Sequence, residues 1–187
     1  MTDDPDLVHK RIGQGDNMAW GDRKLPPHWS DPMKGMGICH EAMKWLREQD
    51  DLDQPAQAWS VCDNGWWMFY YAAKRSEPGT RLRQALERIV NERTTWGDFL
   101  KKEPEKWLEN ACRAVSGLVL ITAGKVGDAA FAAMPIHDTD SRDRASEAAA
   151  HAFVETQVRM LRELADLMRT RIPTVPAMPK VKKAKGE

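Results

Sequence analysis

The sequence predicts an all-α protein folded as a single compact helical bundle, and three observations carry that prediction. Between residues 37 and 172, apolar side chains recur at intervals of three and four, the spacing that lines one face of a helix. No set of segments alternates apolar and polar residues in the manner of half-buried strands, and no period of 20 to 50 residues repeats. The length of 187 residues suits one domain, and 42% hydrophobic with 30% charged residues is a globular composition able to bury a core.

Residues 1–34 read as an irregular N-terminal arm, because Pro5, Pro26, Pro27 and Pro32 interrupt a stretch with no sustained period. Trp20 and Trp29 carry too much apolar area to leave in water, so the arm is expected to lie against the domain. The helical domain is placed at 35–173. From Gly37 to Gln49, the residues Cys39, Ala42, Met43 and Leu46 share one helical face, with Trp45 at its border. Asp53 is a candidate cap for a short helix holding Pro55 in its first turn and carrying Ala58, Trp59 and Cys62.

Asp63 or Asn64 can cap the next segment, the apolar run Trp66 to Ala73. Its aromatics suit a buried strand, but the run continues into Lys74 and Arg75 before Pro78-Gly79, and basic residues favour a helix C-terminus, so helix is preferred. Thr80 caps an amphipathic helix with the stripe Leu82, Ala85, Leu86, Ile89. Thr95 caps a short element with Trp96, Phe99 and Leu100. Pro104 fits the first turn of a longer helix through Trp107, Ala111, Cys112, Val115, Leu118 and Val119, apolar nearly all round after Val115 and so expected to end deep in the core.

Gly124 and Gly127 are expected to break the chain there. Asp138 and Asp140 then place negative charge at the start of the longest helix, from about Ser141 to Arg171, roughly 45 Å at 1.5 Å per residue. Its seam Val154, Val158, Leu161, Ala165, Met168, Ile172 steps by four and three alternately, making it the spine of the bundle. Residues 174–187 read as a disordered, Pro/Lys-rich tail containing Lys180, Lys182, Lys183 and Lys185.

Composition narrows the function classes. Lysine plus arginine and aspartate plus glutamate are 28 each, so no overall field draws the chain to nucleic acid, membrane or acidic substrates. Cys39, Cys62 and Cys112 are an odd number in apolar surroundings, which predicts reduced thiols serving as small core hydrophobes in a cytoplasmic protein. The start Met-Thr-Asp-Asp-Pro-Asp has neither the basic residues nor the apolar run of a signal peptide, and the apolar stretch Leu118 to Ala123 is far short of the ~20 residues a membrane span needs.

Candidate chemistry is sparse. Cys39, His40, Cys62, Cys112, His137 and His151 are metal-ligand types, but no pair has the spacing that delivers two ligands from one turn, so neither a metal nor another cofactor is predicted. His137-Asp138 is the adjacent pair that metal-dependent phosphohydrolases use, and with His151 it sets the alternative of a helical hydrolase. The plainer reading makes Asp138 and Asp140 helix caps. The same tract fails as an EF-hand, with Asp143 where glycine is needed and Ala149 where the bidentate glutamate is needed. Gly13-Gln14-Gly15 and Gly124-Lys125-Val126-Gly127 lack a phosphate-cradle pattern. Ser60, Ser76, Ser116 and Ser146 have no Gly-x-Ser-x-Gly context.

A second alternative is a nucleic-acid accessory that uses the tail lysines on phosphate and Trp66 or Trp67 on bases. Eight tryptophans in one domain instead suggest a protein-binding surface, with Trp20, Trp29 and Trp66 as its candidates.

The block Cys39-x-x-Ala42-x-x-Trp45-Leu46, then Ala58-Trp59-x-x-Cys62 and Trp66-Trp67-Met68, resembles the N-terminal half of a bacterial and phage family described as immunity proteins. The run Leu161 to Arg169 followed by Ile172-Pro173 is similar to that family's terminal helix. The match covers roughly 37–75 and 145–173, and its motifs are short. The resemblance implies a helical, non-enzymatic protein, phage-encoded or bacterial, that acts as an immunity-like or inhibitor protein by binding another protein.

Overall fold

The computed structural model describes residues 28–49, 54–95 and 97–177, and nothing is assigned outside them. Among the described residues there are seven α-helices, two short 3-10 helices and no strand. The 3-10 helix Asp31–Met36 leads into α1 (His40–Glu48), α2 (Pro55–Val61), α3 (Gly65–Arg75), α4 (Arg81–Arg93) and α5 (Gly97–Lys102). A 3-10 turn at Pro104–Lys106 then precedes α6 (Trp107–Ala132) and α7 (Thr139–Arg171).

The helix starts follow from side-chain caps that satisfy otherwise orphaned backbone N–H groups. Asn64 Oδ1 accepts from the Trp67 amide at 3.2 Å, and Thr80 Oγ1 accepts from the Arg83 amide at 3.2 Å. Asp138 and Ser141 cap α7 reciprocally: the Ser141 amide donates to Asp138 Oδ1 at 2.7 Å, and the Asp138 amide donates to Ser141 Oγ at 3.0 Å. At α2 the Gln54 amide donates to Gln57 Oε1, while the expected cap Asp53 lies outside the described residues.

The aromatic run that suited either strand or helix is α3. A helix divides it, with Met68, Phe69, Tyr71, Ala72 and Ala73 buried and Trp66, Trp67 and Tyr70 half-exposed. The core lies where α3, α4, the first half of α6 and the last half of α7 meet, around Phe69, Leu86, Ile89, Val90, Val115 and Met168. Gly65 lets α3 start against α7, since a Cβ there would overlap the backbone of Leu164 and Ala165. The Arg83 guanidinium lies over Trp107, 3.7 Å from the ring centroid, and donates from Nε to Ser76 Oγ. Burial there lowers the Arg83 pKa.

Three expectations about the long helices are corrected. Gly124 and Gly127 do not break the chain; α6 runs through both to Ala132. At Gly127 a Cβ would lie 3.0 Å from the Ala149 carbonyl oxygen, so this glycine permits close approach of α7, and continued packing on α7 outweighs its poor helix propensity. Secondly, α6 does not end deep in the core: Leu120 and Ile121 are 50% and 62% exposed. Thirdly, the seam of α7 is only half covered, with Ala165, Met168 and Ile172 buried but Val154 and Val158 exposed.

The physical reason is length. At 1.5 Å per residue α6 and α7 span ~39 and ~50 Å, whereas α3 and α4 span ~17 and ~20 Å. Most of the long hairpin therefore has only its own partner helix to pack against. By length and composition Pro104–Ala132 would suit a bilayer span, but α7 packed along it carries Arg142, Asp143, Arg144, Glu147 and Glu155 exposed at the same level.

Packed residues continue on both sides of residues 35–173. Ser30 and Met33 are buried, and the Asp31 carboxylate pairs with the Arg47 guanidinium. The His28 amide, above all, holds the Asp31 pKa below its ordinary value. After α7 the segment 172–177 straps α2 and α3. Trp59 Nε1 donates to the Ile172 carbonyl at 3.1 Å, Tyr71 Oη to the Pro176 carbonyl at 2.9 Å, and Arg75 Nε to the Ala177 carbonyl at 2.8 Å.

Candidate functional site

The most distinctive surface is the side of the α6–α7 hairpin that projects past α3 and α4. On α6 the turn Leu118, Ile121, Thr122 continues the buried face begun by Ala111, Ala114 and Val115. On α7 Val154 and Val158 continue the face of Ala165 and Met168. A groove of about 450 Å³ runs beside the α6 part of this face. Leu118 and Ile121 line it, together with the α4 end and residues 94–95, and Arg93, Arg113 and Lys125 join them against a single acid, Glu92. Glu92 is held by Arg171 at 2.7 Å, and Arg113 by Glu109 at 2.6 Å. The groove thus combines Leu118, Ile121 and three threonines with more basic than acidic side chains, in a chain with no net charge.

A second concavity, about 60 Å³, sits beside the C-terminal strap. Trp29, Trp45, Trp59, Trp67 and Tyr71 wall it together with Val175 and aliphatic residues. Trp45 and Trp67 pack on each other with ring centroids 6.0 Å apart.

The side chains singled out in the sequence are dispersed. His137, Asp138 and His151 are all exposed. Asp138 is engaged as the α7 cap, and the Ser141 amide lowers its pKa. His151 lies 13 residues along the same helix, about 20 Å away by helical rise, beside Glu155 at 3.9 Å. These three residues do not form one site. Among the described residues no group of three histidine, cysteine or acidic side chains is close enough to share a metal ion.

All three cysteines are free, but their surroundings differ from the expectation of uniform core packing. Cys62 is buried and its thiol is pushed up to about 11 by burial; Cys112 is half-buried and pushed up to about 12 by the same cause. Cys39 is exposed at the start of α1, because its backbone precedes the helix and its side chain misses the apolar face.

Of the candidate tryptophans, Trp29 is half-buried in the wall of the aromatic cavity, and Trp66 is half-buried and stacked on Phe69 at 6.5 Å. Trp20 and the lysines Lys180, Lys182, Lys183 and Lys185 lie outside the described residues. Sequence reasoning missed the exposed Leu120, Ile121, Val154 and Val158. The signal that could have found them is the mismatch between two long predicted helices and several short ones. Comparison with family models, with curated proteins and with solved structures returns no match to this chain.

Proposed function

We propose that this chain is a non-enzymatic protein-binding module, and that its partner is a helical segment with an apolar edge flanked by acidic residues, laid against the α6–α7 hairpin. The observation that supports the reading is the half-covered seam. One continuous stripe is fully buried at Ala165 and Met168 and open at Val154 and Val158, and on the neighbouring helix Leu118 and Ile121 line a groove that also holds Arg93, Arg113 and Lys125. Exposed apolar side chains gain free energy when a partner removes them from water, at roughly 25 cal/mol per Å². Arg93, Arg113 and Lys125 select the charge of what binds and speed its approach. The resemblance to immunity proteins adds a biological form to this reading, a small helical protein that masks or inhibits a partner. The hydrolase reading loses support because His137 and Asp138 sit some 20 Å from His151.

A photo-reactive amino acid placed at position 121 in the full chain tests the proposal in cells. The expected product is a covalent adduct with a distinct protein, absent when the probe sits at Arg144, and lost when Arg113 and Lys125 are both changed to Glu. An adduct only with a second copy of the chain, or none above the Arg144 level, would overturn it.

A further inference from the structure

The aromatic cavity carries an inference independent of the hairpin: we propose that it is a binding site for the branched aliphatic end of a small neutral molecule. Five aromatic side chains, Trp29, Trp45, Trp59, Trp67 and Tyr71, converge on it, and Val175 of the C-terminal strap lines it too. Three of its lining residues direct their polar atoms to backbone carbonyls: Trp59 Nε1 donates to Ile172, Tyr71 Oη to Pro176, and Cys62 Sγ to Asn64. What remains facing the space is almost wholly carbon. A charged or strongly polar group entering it would give up hydration without recovering hydrogen bonds, so the site discriminates against polar ligands. A quaternary ammonium would find aromatic faces, but no carboxylate lines the cavity to offset its charge.

Size sets the upper limit. At about 60 Å³ the space is under half of the ~150 Å³ cavity that holds benzene, so it admits a group such as isobutyl and excludes a six-membered ring. Ala58 and Val175 both border the space, so a side chain enlarged at one or shortened at the other alters its volume without touching the aromatic walls.

The test is a titration of the full chain with 3-methylbutan-1-ol, followed through the indole N–H resonances of its tryptophans. Saturable shifts in the millimolar range are expected for the tryptophans of the cavity, with Trp107, which lies elsewhere in the core, unmoved. Ala58→Leu fills the space and should abolish saturation, and Val175→Ala, which removes two methyl groups from its wall, should allow 3,3-dimethylbutan-1-ol, one methyl larger and inert toward the unaltered chain, to saturate the same resonances. Should Ala58→Leu fail to fold, the gain of binding of this larger alcohol in Val175→Ala decides alone. Shifts that stay linear in ligand and spread to Trp107 would overturn the proposal, as would the larger alcohol binding equally to both forms. So would tetramethylammonium saturating the site more tightly than the alcohol.

Discussion

Gly65 and Gly124 are both helical glycines, and their surroundings give them opposite roles. At Gly65 an added methyl meets the backbone of Leu164 and Ala165, which cannot swing aside as a side chain can; at Gly124 nothing lies within 4 Å of it. Gly65→Ala should therefore cost about 1–3 kcal/mol or more through overpacking, while Gly124→Ala should add about 0.5–1 kcal/mol by removing backbone freedom from the unfolded chain. Urea denaturation of the two variants reads both signs directly. The caps Asn64, Thr80 and Asp138 were legible in the sequence because a cap and the amide it serves lie within three residues. The role of Gly65 was not, since the backbone that constrains it stands about a hundred positions further along. Cys39 was misread for a local reason: periodicity put it on the apolar face of α1, but the helix begins one residue later.

Among elements, α7 is one amphipathic stripe in two environments. Met168 is fully buried and Val158 is 41% exposed, although both belong to the seam that steps by four and three. Truncation separates them: Met168→Ala should destabilise by about 2–5 kcal/mol, and Val158→Ser should change stability by no more than ~0.5 kcal/mol in the isolated protein. Equal losses, read by urea denaturation, would mean that the upper seam is covered after all. Periodicity identified this helix and its buried side, because a stripe of apolar residues is written in the sequence itself. Whether the stripe is covered depends on how far the neighbouring helices reach, a property of other segments. The reading of Gly127 as a break failed similarly, since a glycine's helix propensity was weighed without the contact with Ala149 that offsets it.

For the whole molecule, the all-α bundle was legible throughout, but its outline was not. Low hydrophobicity suggested a solvated tail from residue 174, yet Pro176 and Ala177 supply carbonyls that Tyr71 and Arg75 use, and Val175 helps line the aromatic cavity. These are main-chain contacts, which no side-chain pattern records. Relative to a chain ending after Ala177, one ending after Pro173 should thus be less stable by about 2–3 kcal/mol, chiefly because Tyr71 and Arg75 lose their acceptors. Calorimetry on the two shortened chains isolates the contribution of the strap. Because Trp29 and Val175 line the same small space, the first and last described stretches of the polypeptide are neighbours, while the α6–α7 connection at 133–138 lies at the far end of the hairpin. The described part of the fold therefore lends itself to circular permutation: a short linker can join residue 177 to residue 28 beside the strap, and new termini can open between Met134 and Pro135 without cutting through the bundle.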